Sequence, residues 1–340
     1  MKKILLIATG GTIASRKMED GLTPAIDVDS LIAYIPGLKG MCQLDGISIM
    51  NIDSTNMNPA LMQLIAKAVA DNYEDYDGFV VTHGTDTMAY STAAVTYMFK
   101  NLSKPVVFTG SQVPIEAKNT DAKDNLFDAV CFACEDIRGV YLVFNGIAIN
   151  GTRAMKVKTR SYDAFNSINY PVIAHIKDGK VIYNEILEKN YNSHWNEMHK
   201  KVTESLAIAT GMCQDIIVLK LFPGIGTEIF DYVKDNYKGA IIEGFGIGGI
   251  PNKNNNIVEK LHELEAAGVT VVITTQCLYE GIDLGIYEVG QTLAKEKVVM
   301  SGDMTTEALT MKLMWALAHY TDAADVRKYM ENIYFADRSY

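Results

Sequence analysis

Cysteine is scarce in this 340-residue chain, and its five cysteines are odd in number and not spaced like a disulfide framework. Small secreted domains depend on such frameworks, so the pattern favours a reducing compartment. Two lysines precede an apolar run near the start, but the run is too short for a signal peptide and ends in a glycine loop. We therefore expect a cytoplasmic protein.

Long apolar runs and an excess of positive charge are also missing. No stretch approaches the roughly 20 apolar residues that span a bilayer. Lysine and arginine number 31 against 41 aspartates and glutamates, which gives a formal net charge of -10. Such a surface repels phosphate backbones and anionic lipid, so we expect neither nucleic acid nor a membrane as a partner.

The chain does contain a repeated order of strand, glycine loop and helix. Short apolar runs at 3–8, 79–82 and 106–109 each end in a loop with glycine, and helix-like segments follow. This alternation predicts an α/β fold with a doubly wound, mostly parallel sheet. Ligands bind at the carboxyl ends of such strands, so the three loops could converge on one site.

A polar stretch divides the chain into two parts. The alternation weakens between residues 187 and 212 and then resumes. We predict an N-terminal catalytic domain over 1–190, a linker over 191–212, and a smaller, parallel α/β C-terminal domain over 213–340.

The first glycine loop reads Thr9-Gly10-Gly11-Thr12. Adjacent glycines let the backbone turn sharply and leave amide groups free to point at a ligand. A hydroxyl beside oriented N–H donors is the minimum for acyl transfer, namely a nucleophile and an oxyanion hole. A tight structural turn or a phosphate cradle would use the same residues.

The second loop, "THGTDTMAY" at 82–90, adds a hydroxyl and a carboxylate at Thr85 and Asp86. The carboxylate could accept a proton from a nucleophile or could hold a substrate ammonium group. The same pair is also common in turns and helix caps.

Two other patterns point to binding sites more weakly. "GFGIGG" at 244–249 has the G-x-G-x-x-G spacing of nucleotide-binding loops, but the sequence after it does not open a helix, so we interpret it as a close-packed loop. Cys131 and Cys134 form C-x-x-C inside a predicted helix. Zinc needs four ligands, so we interpret them as buried helix cysteines.

Long segments of the chain resemble the bacterial-type L-asparaginases of the cytoplasmic type. The resemblance rests on "ATGGTIAS" and "THGTDTMAY", with further matches in "NIDSTNM" (51–57), "TGSQVP" (109–114), "TRAMKVKTRSYDAFNSIN" (152–169) and "SGDMTTEA" (301–308). It implies hydrolysis of asparagine to aspartate and ammonia without metal or organic cofactor. It also implies a homodimer or homotetramer with sites at the subunit interface.

The resemblance assigns catalytic roles by position. Thr12 would attack the amide carbon and form an acyl-enzyme. Thr85 would serve the water step and hydrogen-bond the acyl group of the bound substrate. Lys156 would lie within reach of Thr85 and assist its deprotonation, which requires a depressed lysine pKa.

The resemblance also implies substrate-binding roles. Asp53 and Asp86 would hold the α-ammonium of the substrate, whereas Ser54 and Thr55 would take its α-carboxylate. The chemistry agrees, because a zwitterion needs carboxylates at one end and neutral donors at the other.

Three positions depart from the family pattern: Leu22, Met155 and Gly249. Leu22 stands where many members carry a tyrosine that assists the nucleophile. Some relatives take an equivalent tyrosine from the second domain, so we expect Tyr287 to fill the role, with Tyr279 a weaker candidate. Asp283 could also act from this segment.

Four other functions stay open at this point. A glutaminase-asparaginase of mixed specificity would differ by one methylene of substrate, which a pocket discriminates by only roughly 1–3 kcal/mol. The amidase subunit of a tRNA-dependent amidotransferase shares this core but carries an extra domain before its "TGGT" segment. A non-catalytic amino-acid sensor would not need Lys156, and a nucleotide-binding protein would depend on "GFGIGG".

Overall fold

The computed structural model describes residues 1–18, 21–24, 26, 28–38, 40–253, 255–283 and 298–339. The chain forms two compact units, Met1–Thr210 and Gly211–Tyr340. Within the stretch that we predict as a linker, Asn192–His199 forms a helix of the first unit. No helix among the described residues is long and apolar enough to cross a membrane.

The N-terminal unit contains fourteen described strands, and eight of them form one large sheet. Its strands are β1 Lys3–Gly10, β2 Ser15–Met18, β3 Gly21–Pro24, β4 Gln43–Ile52, β5 Gly78–Thr82, β6 Phe99–Lys100, β7 Pro105–Thr109, β8 Gly139–Phe144, β9 Ile147–Asn150, β10 Ala154–Lys156, β11 Phe165–Ser167, β12 Ala174–Lys177, β13 Lys180–Tyr183 and β14 Ala207–Ile208. Its helices are α1 Val28–Ala33, α2 Pro59–Asp71, α3 Met88–Met98, α4 Ala122–Ala133, α5 Glu185–Asn190 and α6 Asn192–His199. Short 3-10 turns cover Thr12–Ala14, Pro36–Leu38 and Ser54–Asn56.

The sheet order confirms the predicted architecture. The order is β4-β1-β5-β7-β8-β9-β12-β13. The first five strands in this order, β4-β1-β5-β7-β8, are parallel. Strands β9, β12 and β13 continue the sheet in antiparallel pairing. The loops after β1, β4, β5 and β7 therefore all start at the same end of the sheet, where these parallel strands have their carboxyl ends.

Local sequence explains the helix between β4 and β5. The Asn58 side chain accepts a hydrogen bond from the Leu61 amide, and Pro59 occupies the first turn. The buried positions include Ile65 and Val69, four residues apart on one helical face. This face packs into the core because its apolar spacing matches the helical period.

The C-terminal unit is a smaller, separate α/β unit. Its strands are β15 Ile216–Lys220, β16 Gly239–Gly244, β17 Thr270–Thr275 and β18 Val299–Met300. Its described helices are α7 Glu228–Asn236, α8 Ile257–Ala266, α9 Thr306–His319 and α10 Ala323–Glu331. The sheet order is β15-β16-β17-β18, all parallel, which confirms the predicted fold class for this unit.

The glycine-rich segment after β16 does not open a helix. Phe245 and Gly249 form an isolated antiparallel bridge, and the next described helix begins only at Ile257. A dinucleotide fingerprint leads directly into a helix N-terminus, so this geometry excludes that interpretation.

A buried ion pair stabilises the end of the C-terminal unit. Lys312 Nζ lies 2.7 Å from Asp337 Oδ2, and both side chains are 0% exposed. The lysine also donates to the Asn332 carbonyl at 2.7 Å. Burial lowers the pKa of Lys312, and the adjacent Asp337 carboxylate partly opposes that shift. Removing one partner would leave a buried, uncompensated charge.

Lys312→Met should therefore destabilise the C-terminal unit by about 3–5 kcal/mol, because Asp337 loses its counter-charge. The measurement is urea unfolding followed by Trp315 fluorescence in a Trp195→Phe background, which leaves one tryptophan. The double variant Lys312→Met/Asp337→Leu should recover most of the loss. The exposed Lys328→Met is the control and should stay within about 0.5 kcal/mol. Equal losses in the single and double variants would contradict the assignment.

Candidate active site

The loops after β1, β4 and β5 meet backbone against backbone. Gly10 and Gly11 have φ values of 102° and 79°. A Cβ on Gly11 would lie 2.4 Å from the Gly84 nitrogen, and one on Gly10 would lie 2.5 Å from the Ile52 nitrogen. Only glycine fits both the positive φ and this approach. The paired glycines thus join three strand ends.

One part of our interpretation of the first loop is wrong. The Gly11 amide is not free, because it donates to the Ile52 carbonyl at 2.9 Å. It therefore ties the loop to β4 and cannot act as an oxyanion donor without breaking that bond. Thr12 follows at the start of a 3-10 turn and is half-buried. Ser15 Oγ supports the turn by donating to the Gly11 carbonyl at 2.8 Å.

Thr85, Asp86 and Lys156 form one hydrogen-bonded cluster. Lys156 Nζ donates to Thr85 Oγ1 at 2.7 Å and to Asp86 Oδ1 at 2.6 Å. The Thr85 residue is 5% exposed, and the lysine and aspartate side chains are 17% and 56% exposed. The cluster is thus a shielded hydroxyl and ammonium with a carboxylate that faces solvent.

Gln112 is a contact of Thr85 that the sequence analysis missed. Thr85 Oγ1 donates to Gln112 Oε1 at 3.1 Å, and Gln112 Nε2 donates to the Ser161 carbonyl at 3.2 Å. Together with Lys156, Gln112 fixes both the proton and one lone pair of the Thr85 hydroxyl. The sequence does point to Gln112, because this residue lies just after Gly110 in the loop that ends the third apolar run.

Asp121 anchors the loop that carries Gln112. This carboxylate is 6% exposed and accepts from the amides of Gln112 and Val113 at 2.8 and 3.0 Å, and from Asn125 Nδ2 at 3.1 Å. Burial raises the pKa of Asp121, and these hydrogen bonds act in the opposite direction. The loop after β7 is therefore held by charge-assisted bonds to the start of α4.

The loop after β4 is linked to the loop after β5 through Ser54. Ser54 is 4% exposed, and its Oγ accepts from the Asp86 amide at 3.3 Å. Thr87 Oγ1 donates to the Ser54 carbonyl at 2.8 Å. Asp53 Oδ1 accepts from both the amide and the hydroxyl of Thr55 at 2.8 Å. The loops that carry Asp53, Ser54 and Asp86 are consequently hydrogen-bonded to each other.

His83 is buried within the second loop. Its ring is 0% exposed, and its Nδ1 lies 2.7 Å from the Gly84 carbonyl, which can only accept. Burial lowers the pKa of His83 to about 4, so the ring is neutral near pH 7. We interpret His83 as a residue that positions the turn at Gly84.

The other residues that the sequence analysis named lie on other segments of the chain. Tyr287 lies outside the described residues, and Leu22 lies in β3. Tyr279 is 51% exposed, and the Asp283 amide donates to the Ile247 carbonyl at 3.1 Å.

The arrangement suits acyl transfer by hydroxyl groups. It combines hydroxyls, a lysine and carboxylates on loops that a rigid sheet holds together. Within the described ranges, no group of three or more histidine, cysteine, aspartate or glutamate side chains is placed to hold a metal ion.

The loop contact can be tested with alanine. Gly11→Ala should lower the melting temperature strongly, because it combines a positive-φ strain of about 1–3 kcal/mol with a clash against Gly84. Gly40→Ala is the matched control, since Gly40 has φ +91° but nothing within 4 Å of the added Cβ. It should show the strain alone. Equal shifts in thermal unfolding of the two variants would argue against the loop contact.

Comparisons with known proteins agree along the whole chain. Residues 3–189 match the family model "Asparaginase, N-terminal", and residues 215–330 match "Glutaminase/Asparaginase C-terminal domain". The L-asparaginase of Thermococcus kodakarensis is 38% identical over 97% of this chain and 97% of its own length. A glutamyl-tRNA(Gln) amidotransferase subunit of Pyrococcus abyssi is 36% identical over 97% of this chain, but over only 75% of its own length.

A solved structure repeats the same result in three dimensions. The crystal structure of L-asparaginase I from Vibrio cholerae superposes with a TM-score of 0.89 at 30% identity, covering 100% of this chain and 99% of that one. The matches span both units and the motifs that carry the cluster described above. The chain belongs to the asparaginase family.

Proposed function

We propose that the protein hydrolyses the side-chain amide of L-asparagine to aspartate and ammonia through a threonine acyl-enzyme. One observation carries this proposal: Lys156 of β10 is hydrogen-bonded to Thr85 and Asp86, which lie on the loop that packs against the Thr12 loop. The Michaelis complex needs a nucleophile, a proton carrier and an ammonium site, and these residue types supply all three.

Thr12 is the proposed nucleophile. Its Oγ attacks the amide carbon, the C–N bond breaks, and the hydroxyl proton leaves on the nitrogen as ammonia. The ester to Thr12 is then hydrolysed by water. Because a free hydroxyl is a weak nucleophile, a second group must carry the proton, and Tyr287 is the proposed one.

Thr85 and Lys156 are proposed to serve the water step. The Thr85 hydroxyl is already oriented, since it accepts from Lys156 and donates to Gln112. In this step Lys156 would act as a neutral amine: Thr85 Oγ1 takes a proton from the water that attacks the ester, and the Thr85 hydroxyl proton passes to Lys156 Nζ. Orientation before reaction lowers the barrier because no reorganisation is needed in the transition state.

Asp86 and Asp53 are the proposed partners of the substrate α-ammonium, and Ser54 of its α-carboxylate. The Ser54 oxygen accepts from the Asp86 amide, so its own O–H remains to donate to a carboxylate. The Thr55 hydroxyl already donates to Asp53. We therefore propose that Thr55 contributes to binding chiefly by holding Asp53.

The wider setting follows the family resemblance. We propose a cytoplasmic homodimer or homotetramer that acts on a small molecule without a cofactor. Activity of mixed glutaminase type, an amidase partner role and a non-catalytic sensor are the alternatives. The amidase alternative is the one that the similarity to the Pyrococcus abyssi amidotransferase subunit raises, and three quarters of that protein's length are matched.

The deciding experiment is ammonia release from L-asparagine, D-asparagine and L-glutamine. L-Asparagine should react fastest, and Thr12→Ala should lower kcat by at least about 10³-fold, because the acyl-enzyme cannot form. Thr203→Ala, which replaces an exposed threonine of the same unit, should release ammonia as fast as the unaltered protein. Thr12→Ala within about tenfold of the unaltered protein would refute the nucleophile. Folded protein without release from any substrate would favour the sensor.

Tyr287→Phe should lower kcat by about 10²-fold or more while leaving KM little changed, because the phenol carries a proton only in the transition state. Tyr232→Phe, which alters a 57% exposed tyrosine of α7, is the control. Normal turnover by Tyr287→Phe would remove Tyr287 from the mechanism. A drop in Tyr279→Phe instead would transfer the role to Tyr279.

A further inference from the structure

The loop after β7, residues 110–120, carries Gln112 and is held in place from two sides. One side is bonded to the start of α4. The other side is bonded to the turn between β10 and β11, the hairpin that carries Lys156. Gln112 and Lys156 are the two hydrogen-bond partners of the Thr85 hydroxyl described above. The geometry around Thr85 therefore depends on contacts made one step away from it.

On the α4 side, the loop is held by the buried carboxylate of Asp121. Each of its two oxygens accepts from one backbone amide, those of Gln112 and Val113. Asp121 also accepts from Asn125 Nδ2, and the same nitrogen donates to the Gly110 carbonyl at 3.0 Å. Hydrogen bonds to an ionised carboxylate are stronger than neutral ones. Asp121 consequently fixes the backbone from which the Gln112 side chain extends.

On the hairpin side, two successive residues of the β10–β11 turn contact the loop. The Ser161 carbonyl accepts from Gln112 Nε2 at 3.2 Å. The Tyr162 hydroxyl donates to the Asn119 carbonyl at 2.8 Å. Because Tyr162 is 40% exposed, its hydroxyl can be removed without opening a cavity in the core. The turn thus holds the loop near both of its ends.

The hairpin has its own support in the core. Lys156 pairs with Phe165 across the two strands. Phe165 is buried, and its ring centroid lies 5.1 Å from that of Phe144. Aromatic pairs at this separation stabilise the packing of the elements that carry them. The hairpin can therefore serve as a fixed support for Lys156 and, through its turn, for Gln112.

The orientation of the Gln112 side chain bears directly on the proposed water step. Its Oε1 accepts the Thr85 proton, and its Nε2 is bonded to the turn. The amide group is planar, so fixing Nε2 also fixes the direction in which Oε1 points. Release of Gln112 at either support would leave the Thr85 hydroxyl free to rotate. Displacements of about 1 Å near reacting groups cost up to about 10²-fold in rate.

We propose that Asp121 and Tyr162 are positioning residues for the water step and that both act through Gln112. The inference rests on the proposed function, because this step is the hydrolysis of the ester at Thr12. Ester formation should be far less sensitive to either residue, since Thr12 lies on the loop after β1. Loss of either residue should therefore slow the release of aspartate and leave the first release of ammonia nearly unchanged.

The first test is Asp121→Asn, which keeps the size of the side chain but places a donor against a backbone amide. Rapid acid quench of a single turnover of L-asparagine by the full chain measures ammonia, which leaves when the ester forms, and aspartate, which leaves when it is hydrolysed. The rate constant of aspartate release should fall about 10- to 100-fold. Ammonia release in the first turnover and kcat/KM should stay within about twofold, because both report on steps up to ester formation.

The second test is Tyr162→Phe, which keeps the proposal falsifiable if Asp121→Asn does not fold. The rate constant of aspartate release should fall about two- to fivefold, as expected for the loss of one hydrogen bond. Asp124→Asn is the matched control for Asp121, because it removes an exposed carboxylate from the first turn of α4. Tyr232→Phe is the control for the lost hydroxyl. Both controls should release aspartate as fast as the unaltered protein.

A double-mutant cycle identifies the route through Gln112. Gln112→Leu should itself slow aspartate release. Adding Asp121→Asn or Tyr162→Phe to Gln112→Leu should then slow it by less than about twofold more, because the contact through which they act is already lost. Additive losses would overturn the proposal, as would equal losses in the rates of ammonia and aspartate release, which indicate a merely structural role.

The same experiment separates this inference from the function on which it rests. An unaltered protein that releases no ammonia from L-asparagine would refute the proposed function and this inference with it. An active protein whose Asp121→Asn and Tyr162→Phe variants fold and release aspartate at the unaltered rate would refute this inference alone.

Discussion

The close approach of Gly11 to Gly84 is the constraint on which the candidate site depends. The first loop carries Thr12, and the second carries Thr85 and Asp86. A side chain on either glycine would prevent this arrangement. A Cβ on Gly11 would lie 2.4 Å from the Gly84 nitrogen, and a Cβ on Gly84 would lie 2.6 Å from Ser54 Oγ. The lack of a side chain at Gly11 and Gly84 is therefore as important for the site as the reactive side chains are.

A second layer of bonds holds the groups that this contact brings together. Lys156 arrives on β10, which pairs with β11 in a short antiparallel hairpin, and it reaches Thr85 across 71 positions of sequence. Gln112 reaches the same hydroxyl from a loop that Asp121 anchors. The Thr85 oxygen is thus bracketed by two elements with independent supports, which limits its rotation.

The sequence predicted the parts of this arrangement that follow from local patterns. Apolar runs ending in glycine loops led to the parallel sheet, and the carboxyl-end rule led to converging loops. The resemblance supplied Lys156. Other features depend on long-range packing that no local pattern encodes. Examples are the hydrogen bond of Gln112 and the use of the Gly11 amide by β4. The Lys312–Asp337 pair is another example, because its two residues come from different segments of the chain.

The burial of His83 has a consequence for the behaviour of the protein in acid. An unfolded chain would bind a proton on this ring near pH 6.5, whereas the folded ring resists protonation until about pH 4. Stability is therefore full above pH 6.5 and declines as the pH falls between these values, by an amount on the order of 3 kcal/mol at most. The turn beside Thr85 is thus sensitive to acid, and moderate acidification would loosen the candidate site from within.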